Sequence, residues 1–111
     1  MEDKIDFKDF QKVELKVGEI KSVEDHPNAD KLFVMKVNFS EEERTIVAGL
    51  KNHYEKEDLQ GKKAIFVTNL SPAQLRGVES NGMILAAVSS DRTTVKISTI
   101  DGDVPAGTKL S

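Results

Sequence analysis

The sequence predicts an all-β domain, a small barrel with one short helix, and three observations support this prediction. Alternating apolar residues recur along the chain, most clearly in residues 32–39. Clusters of turn-forming residues separate these stretches. Between the third and fourth of these stretches, Lys51–Gln60, polar and followed by Gly61, is typical of a short helix. Five strands with a helix between the third and fourth is the order of an OB-fold, a five-stranded Greek-key barrel. The pattern alone leaves other small β-barrels open.

The size and composition of the chain limit its function. At 111 residues we expect one domain, spanning residues 1–111, without room for an additional catalytic domain. The absence of cysteine excludes disulfides and thiolate metal sites. No apolar run approaches the roughly 18 residues of a membrane span, and the first residues lack a basic signal region. We therefore expect a cytoplasmic protein with no membrane partner.

Charge is unevenly distributed. The net charge is −3, and residues 1–30 hold nine acids against five lysines. Residues 61–100 instead hold five basic residues against two acids, a net charge of +3. This second region is suited to a polyanion.

The first predicted strand begins after a short helix, which Asp6 would cap and which carries Phe7 and Phe10. Alternation starts at Val13 and changes phase near Gly18. A β-bulge at Gly18 would let one long, bent strand serve both halves of a barrel. The remaining predicted strands are residues 32–39, 45–50, 63–70 and 82–88, and an extra C-terminal strand is predicted at 94–100.

The stretch from Asn69 to Ala87 connects two apolar strands through a polar segment. Within it, Gly77 and Gly82 permit positive φ, and Arg76 and Ser80 supply donors for hydrogen bonds. This combination is typical of a binding loop.

The same stretch carries a specific motif, Asn69-Leu70-x-Pro72 and then Leu75-Arg76-Gly77-Val78-x-Ser80-x-Gly82-Met83-x-Leu85-Ala86-Ala87. It resembles the signature of the tRNA-binding domain family. That family includes the C-terminal module or beta subunit of methionyl-tRNA synthetases, free dimeric tRNA-binding proteins, and EMAPII-type and Arc1p-type cofactors. His26–Leu32 and Thr45–Leu50 also resemble family segments. The resemblance covers nearly the whole chain and favours the OB-fold among the small barrels.

The resemblance implies a non-catalytic domain that holds the elbow of folded tRNA. Carried onto matching positions, it implicates five residues in tRNA binding: Lys31, Asn69, Arg76, Ser80 and Met83. Lys36, Lys62 and Lys63 would add electrostatic support. Simpler interpretations remain open, with Arg76 paired to Glu79, Ser80 bonded to local backbone, and Met83 in the core.

The residues supply no catalytic constellation, metal site or cofactor motif. The two histidines lie in separate polar segments, and His26 beside Asp25 and Asp30 is typical of a turn. The chain has only five Phe and one Tyr, too few for the stacking platform that binds single strands. A folded RNA is the preferred ligand.

Two hypotheses follow. The first is a beta subunit of methionyl-tRNA synthetase, or a free-standing equivalent, that aids aminoacylation and has the catalytic subunit as a possible partner. The alternative is a secretion-chaperone-like dimeric OB-fold protein that binds peptides, which the positive segment disfavours. In either case we expect a homodimer formed by residues 93–111, whose apolar residues are Val95, Ile97, Ile100, Val104, Pro105 and Leu110.

Overall fold

The computed structural model describes residues 3–111, which form two short helices and ten strands. The helices are α1 (Phe7–Phe10) and α2 (Lys56–Leu59). The strands are β1 (Leu15–Asp25), β2 (Phe33–Asn38), β3 (Glu43–Ala48), β4 (Lys63–Val67), β5 (Ala73–Leu75), β6 (Val78–Ser80), β7 (Met83–Ile84), β8 (Ala86–Val88), β9 (Val95–Ile97) and β10 (Lys109–Leu110).

The main sheet has the order β3-β2-β1-β4-β7, and every pairing in it is antiparallel. Strand β6 packs along β3, on the edge of β3 that faces away from β2. The sheet therefore curls into a nearly closed barrel. The helix α2 lies between β3 and β4. This confirms the predicted all-β, OB-type fold.

The long strand β1 serves both halves of the barrel. Residues 15–19 pair with β4, and residues 19–25 pair with β2. The register shifts between Ile20 and Ser22, so the irregularity lies at Lys21 rather than at the predicted Gly18. Gly18 is needed for close packing instead, because a Cβ there would lie 2.6 Å from Cγ1 of Val37.

The core forms inside the barrel, mainly from the alternate residues of β2 and their neighbours. Phe33, Met35 and Val37 are buried, as the alternation predicted. Phe39 follows them and meets Phe66 edge to face at 5.4 Å between ring centroids. The other buried apolar residues of the cluster are Ile20, Val23, Ile46, Ala48, Leu50, Leu59, Ala64 and Ile84.

The predicted loop between the fourth and fifth strands is itself a β-hairpin, formed by β5 and β6. Its two-residue turn has Arg76 at φ +55° and Gly77 at φ +94°. Positive φ at both positions is the geometry of a type I′ turn, which suits the twist of a hairpin. We refer to residues 73–80 as the Arg76 hairpin.

The C-terminal region differs in detail from the prediction. The fifth strand is interrupted at Leu85, and β8 pairs with β9 in a hairpin of its own. Val95 and Ile97, two apolar residues of the predicted dimer region 93–111, are partly buried and pack against the core. Leu110 lies in β10, which pairs with the first residues of β1.

The helix α1 contributes no buried residue. Asp6 occupies its N-cap position, but its side chain makes no capping hydrogen bond. Ile5, Phe7 and Phe10 are all exposed. Within residues 3–111 neither four-residue helix has the length or apolar content needed to cross a membrane.

Candidate nucleic-acid interface

A cleft of about 570 Å³ lies at the edge of the barrel, beside β3, β7 and β8. Two of the five predicted site residues, Lys31 and Met83, line it. The remaining lining residues are Val47, Ala48, Gly49, Leu50, Asn52, His53, Ile84, Ala86, Val88, Arg92 and Val95. The fold therefore brings together residues that are far apart in the sequence.

The cleft combines an exposed apolar surface with positive charge. Met83 is 45% exposed and Val88 is 49% exposed, so both present apolar atoms to solvent. Lys31 and Arg92 are exposed cations of the same cleft. The ion pairs among residues 3–111 all involve other cations, which leaves these two charges available to a polyanion.

Asp91 builds the turn that presents Arg92. Its carboxylate accepts hydrogen bonds from the hydroxyl of Ser89 at 2.7 Å, and from the hydroxyl and backbone nitrogen of Thr93 at 2.9 and 3.1 Å. These bonds, the one from Ser89 first, lower the pKa of Asp91. Arg92 itself adopts φ +63°, a conformation that the ordered turn maintains.

Arg76 lies at the tip of its hairpin and does not line the cleft. Its guanidinium Nη2 donates to the carbonyl oxygen of Asn28 at 3.4 Å. No ion pair with Glu79 forms in the part of the chain that the structure describes. The hairpin adjoins the cleft, because β6 packs along β3, whose last residues line it.

The side chain of Ser80 is inside the barrel wall and only 4% exposed. Its hydroxyl accepts from the backbone nitrogen of Val47 at 2.9 Å and donates to the carbonyl oxygen of Gly82 at 3.0 Å. Both bonds are internal. The geometry thus matches the simpler interpretation, a hydroxyl bonded to backbone.

Asn69 is exposed, and both polar atoms of its amide bond to backbone. Oδ1 accepts from the backbone nitrogen of Glu14 at 2.8 Å, and Nδ2 donates to the carbonyl oxygen of Lys12 at 2.6 Å. These bonds tie the end of β4 to the segment before β1. Asn69 lines a different cavity, which it shares with Phe7 and Leu110.

The three supporting lysines have mixed surroundings. Lys36 donates to the hydroxyl of Thr45 at 2.7 Å, and Lys63 forms an ion pair with Asp103 at 2.9 Å. Lys62 is exposed and lines a third cavity. None of the three belongs to the cleft that contains Lys31.

Sequence reasoning missed Arg92 as a site residue and counted it only toward net charge. The signal was the Ser89–Arg92 turn, where Asp91 is a residue type that hydrogen-bonds local backbone. Whether that turn faced a cleft could not be read from the pattern. Among residues 3–111, no three His, Asp or Glu side chains cluster in a way that could hold a metal ion.

Residues 15–109 match the family model described as "Putative tRNA binding domain". The chain belongs to that family. This tRNA-binding domain is 50% identical over 106 residues to methionine–tRNA ligase of Pyrococcus horikoshii, a match that covers 96% of the chain but only 14% of the ligase. The chain therefore spans only a small part of the length of this relative.

Two solved structures resemble the tRNA-binding domain over nearly its whole length. A MetRS-related protein from Pyrococcus horikoshii superposes with a TM-score of 0.93 at 38% identity, covering 99% of this chain and 100% of that one. The CsaA chaperone protein from Picrophilus torridus superposes with a TM-score of 0.88 at 33% identity, covering 97% and 100%. The tRNA-binding domain is therefore related both to methionyl-tRNA synthetase domains and to CsaA-like proteins.

Proposed function

We propose that this tRNA-binding domain acts as the beta subunit of methionyl-tRNA synthetase or as a free-standing equivalent. It binds the elbow of folded tRNA in the cytoplasm and aids aminoacylation without catalysing it. Its contribution is to raise the concentration of tRNA near the catalytic subunit. The observation that carries the proposal is the cleft, in which Lys31 and Arg92 flank the exposed side chains of Met83 and Val88.

The cleft suits a folded RNA chemically. Lys31 and Arg92 would contact phosphates, and Arg76 on the neighbouring hairpin would extend the same positive surface. Met83 would pack against a ribose or the face of a base, which a flexible thioether does well. Recognition through phosphate and shape would depend little on sequence.

Asn69 and Ser80 support this site indirectly in our proposal. Ser80 bonds to Val47 and Gly82, and Gly82 directly precedes Met83. It would thereby hold the start of β7 beside the cleft. Asn69 would fix the end of β4 against the beginning of β1 through its two bonds to backbone.

We further propose that the protein is a homodimer. Supporting this, Ile5, Phe7, Phe10 and Val13 are exposed large apolar residues at one end of the molecule. The last three line one cavity with Leu15 and Leu110. An isologous interface there would cover this surface and would include Leu110 of the predicted region 93–111. Light scattering at micromolar concentration tests it: Phe7→Glu should yield monomers, and a monomeric wild type would exclude the dimer.

The alternative, a peptide-binding chaperone, is favoured by the likeness to CsaA and by the exposed Met83 and Val88. One experiment separates the two. Fluorescently labelled tRNA is titrated with the protein in the presence of a competing polyanion, and an unfolded apolar peptide is titrated in parallel. Saturable tRNA binding that survives the competitor supports the tRNA role. Binding of the peptide alone supports the chaperone role.

A further inference from the structure

His26 is a buried residue, 5% exposed, in the turn between β1 and β2. Its imidazole has two partners. Nδ1 accepts from the backbone nitrogen of Asn28 at 2.9 Å, and Nε2 lies 2.8 Å from the carbonyl oxygen of Leu75. A backbone N–H only donates and a carbonyl only accepts, so these partners assign the proton to Nε2.

The bond to Leu75 joins two parts of the chain that are 49 residues apart. Leu75 is the last residue of β5 and directly precedes the Arg76–Gly77 turn. Asn28 adds two longer hydrogen bonds. Its Nδ2 donates to the carbonyl oxygen of Arg76 at 3.5 Å, and its carbonyl oxygen accepts from Arg76 Nη2 at 3.4 Å. Residues 26–28 are thus hydrogen-bonded to the tip of the Arg76 hairpin.

The hairpin has few other attachments near its tip. All three residues of β5 are exposed, and among residues 3–111 β5 pairs only with β6. A two-stranded hairpin is marginally stable by itself in water. The contacts with residues 26–28 are therefore well placed to decide where Arg76 points.

We propose that His26 is a positioning residue for tRNA binding, one that sets the spacing between Lys31 and Arg76. Lys31 lies in the segment that begins with His26, and Arg76 follows the residue that His26 holds. One hydrogen bond therefore couples the two segments that carry these cations. The inference rests on the proposed function, because it takes Lys31 and Arg76 to contact phosphates of one RNA.

Two substitutions divide the roles of the imidazole. His26→Asn keeps a short acceptor suited to the local bond with the Asn28 nitrogen, but it cannot reach Leu75. His26→Gln has the length to donate to Leu75. Both substitutions replace the imidazole ring with an amide, so a difference in exchange or affinity between the two variants reports the bond to the hairpin.

The test combines amide hydrogen exchange without tRNA and tRNA affinity, in the wild-type and Arg76→Ala backgrounds. His26→Asn should accelerate exchange of the paired amides in residues 73–80 while leaving those of β1 and β2 protected. It should weaken tRNA binding by roughly fivefold, the effect of losing one hydrogen bond. His26→Gln should restore most of both properties. In the Arg76→Ala background, His26→Asn should cause no further loss.

Several outcomes would overturn the proposal. Unchanged exchange in the hairpin would show that His26 does not hold it. If His26→Asn accelerates exchange but keeps full tRNA affinity, while Arg76→Ala does weaken tRNA binding, His26 has no positioning role. If Arg76→Ala has no effect on tRNA affinity, Arg76 does not contact a phosphate. The exchange data then report separately whether His26 holds the hairpin. Should His26→Asn unfold the barrel, Asn28→Ala serves instead by removing the bond from Asn28 Nδ2 to the Arg76 carbonyl oxygen. Unchanged exchange of the paired amides in residues 73–80 would then contradict the attachment of the hairpin to residues 26–28.

Discussion

The hydroxyl of Ser80 and the backbone nitrogen of Val47 are joined by a 2.9 Å hydrogen bond across the line where the barrel closes. The backbone nitrogen of Asn81 bonds to the carbonyl oxygen of Thr45 at 2.8 Å on the same line. Since β6 is not part of the main sheet, these bonds link it to the edge of β3. Ser80 therefore helps to close the barrel wall.

Ser80→Ala should destabilise the protein by about 1–3 kcal/mol, because the buried nitrogen of Val47 loses its acceptor. Urea unfolding measures the change. Ser71→Ala, at an exposed position of the same region, is the matched control and should be neutral. A Ser80→Ala protein of full stability that no longer binds tRNA would instead show a direct contact with RNA.

Replacing Lys31, Arg76 or Arg92 singly with alanine should weaken binding of all tRNAs to a similar extent. Each lost phosphate contact should also flatten the log–log dependence of affinity on salt by roughly one unit. Titrations of several tRNA species at several salt concentrations measure both effects. Lys12→Ala removes the same charge from a residue paired with Asp9, and it should change little. Loss of one tRNA species alone would mean that bases carry recognition.

Met83→Ala should reduce tRNA affinity by roughly fivefold, the effect of one or two buried methylene groups. Stability should hardly change, since the side chain is substantially exposed in the free protein. Leu70→Ala is the control, because Leu70 is similarly exposed and does not line the cleft. Equal effects of the two substitutions on affinity would argue against a specific role of the cleft.

Gly18→Ala should cost about 1–3 kcal/mol of stability through overpacking. The added Cβ would lie 2.6 Å from Val37 Cγ1 and 2.9 Å from Phe66 Cδ1, both in the core. Gly49→Ala is the control, because its Cβ would meet only Leu32, at 3.8 Å. Thermal unfolding of the two variants should therefore differ clearly, and similar midpoints would contradict the packing argument.

Stability should fall in acid partly through Glu14. Its Oε1 accepts from the hydroxyl of Thr68 at 2.6 Å, and this bond lowers the pKa of Glu14. Because the folded pKa lies below the unfolded one, the stabilisation is present above the unfolded pKa and is lost as pH falls through the folded pKa.

Thr68→Val should accordingly lower stability at neutral pH and make it less sensitive to pH in the acidic range. Unfolding free energies measured across that range test the sign. Thr99→Val, at an exposed position, should keep the wild-type pH dependence. A Thr68→Val protein with the wild-type pH dependence would show that the hydrogen bond does not set the Glu14 pKa.

The places of the main strands along the chain, the position of α2 and the buried face of β2 could be inferred from the residue pattern, whereas the OB-type order of the strands rested on the family resemblance. Alternation is a local property, and it reports which side chains share one face of a strand. The motif around residues 69–87 likewise identified the family through local sequence. An irregularity in β1 was predicted correctly, but at Gly18 instead of Lys21. Gly18 is required for a different reason, because side chains across the barrel leave no room for a Cβ there.

Only the tertiary structure shows which polar residues are hydrogen-bonded within the protein and which line the cleft. Ser80 and Asn69 are polar residues of the motif, yet their hydrogen bonds go to Val47, Glu14 and backbone far away in sequence. Arg92 lies outside the motif and joins Lys31 and Met83 because the segment before β2, the start of β7 and the turn between β8 and β9 meet at one cleft. A polar side chain is available to a ligand only if the folded chain leaves its donors and acceptors unused, and that depends on which distant strands become neighbours.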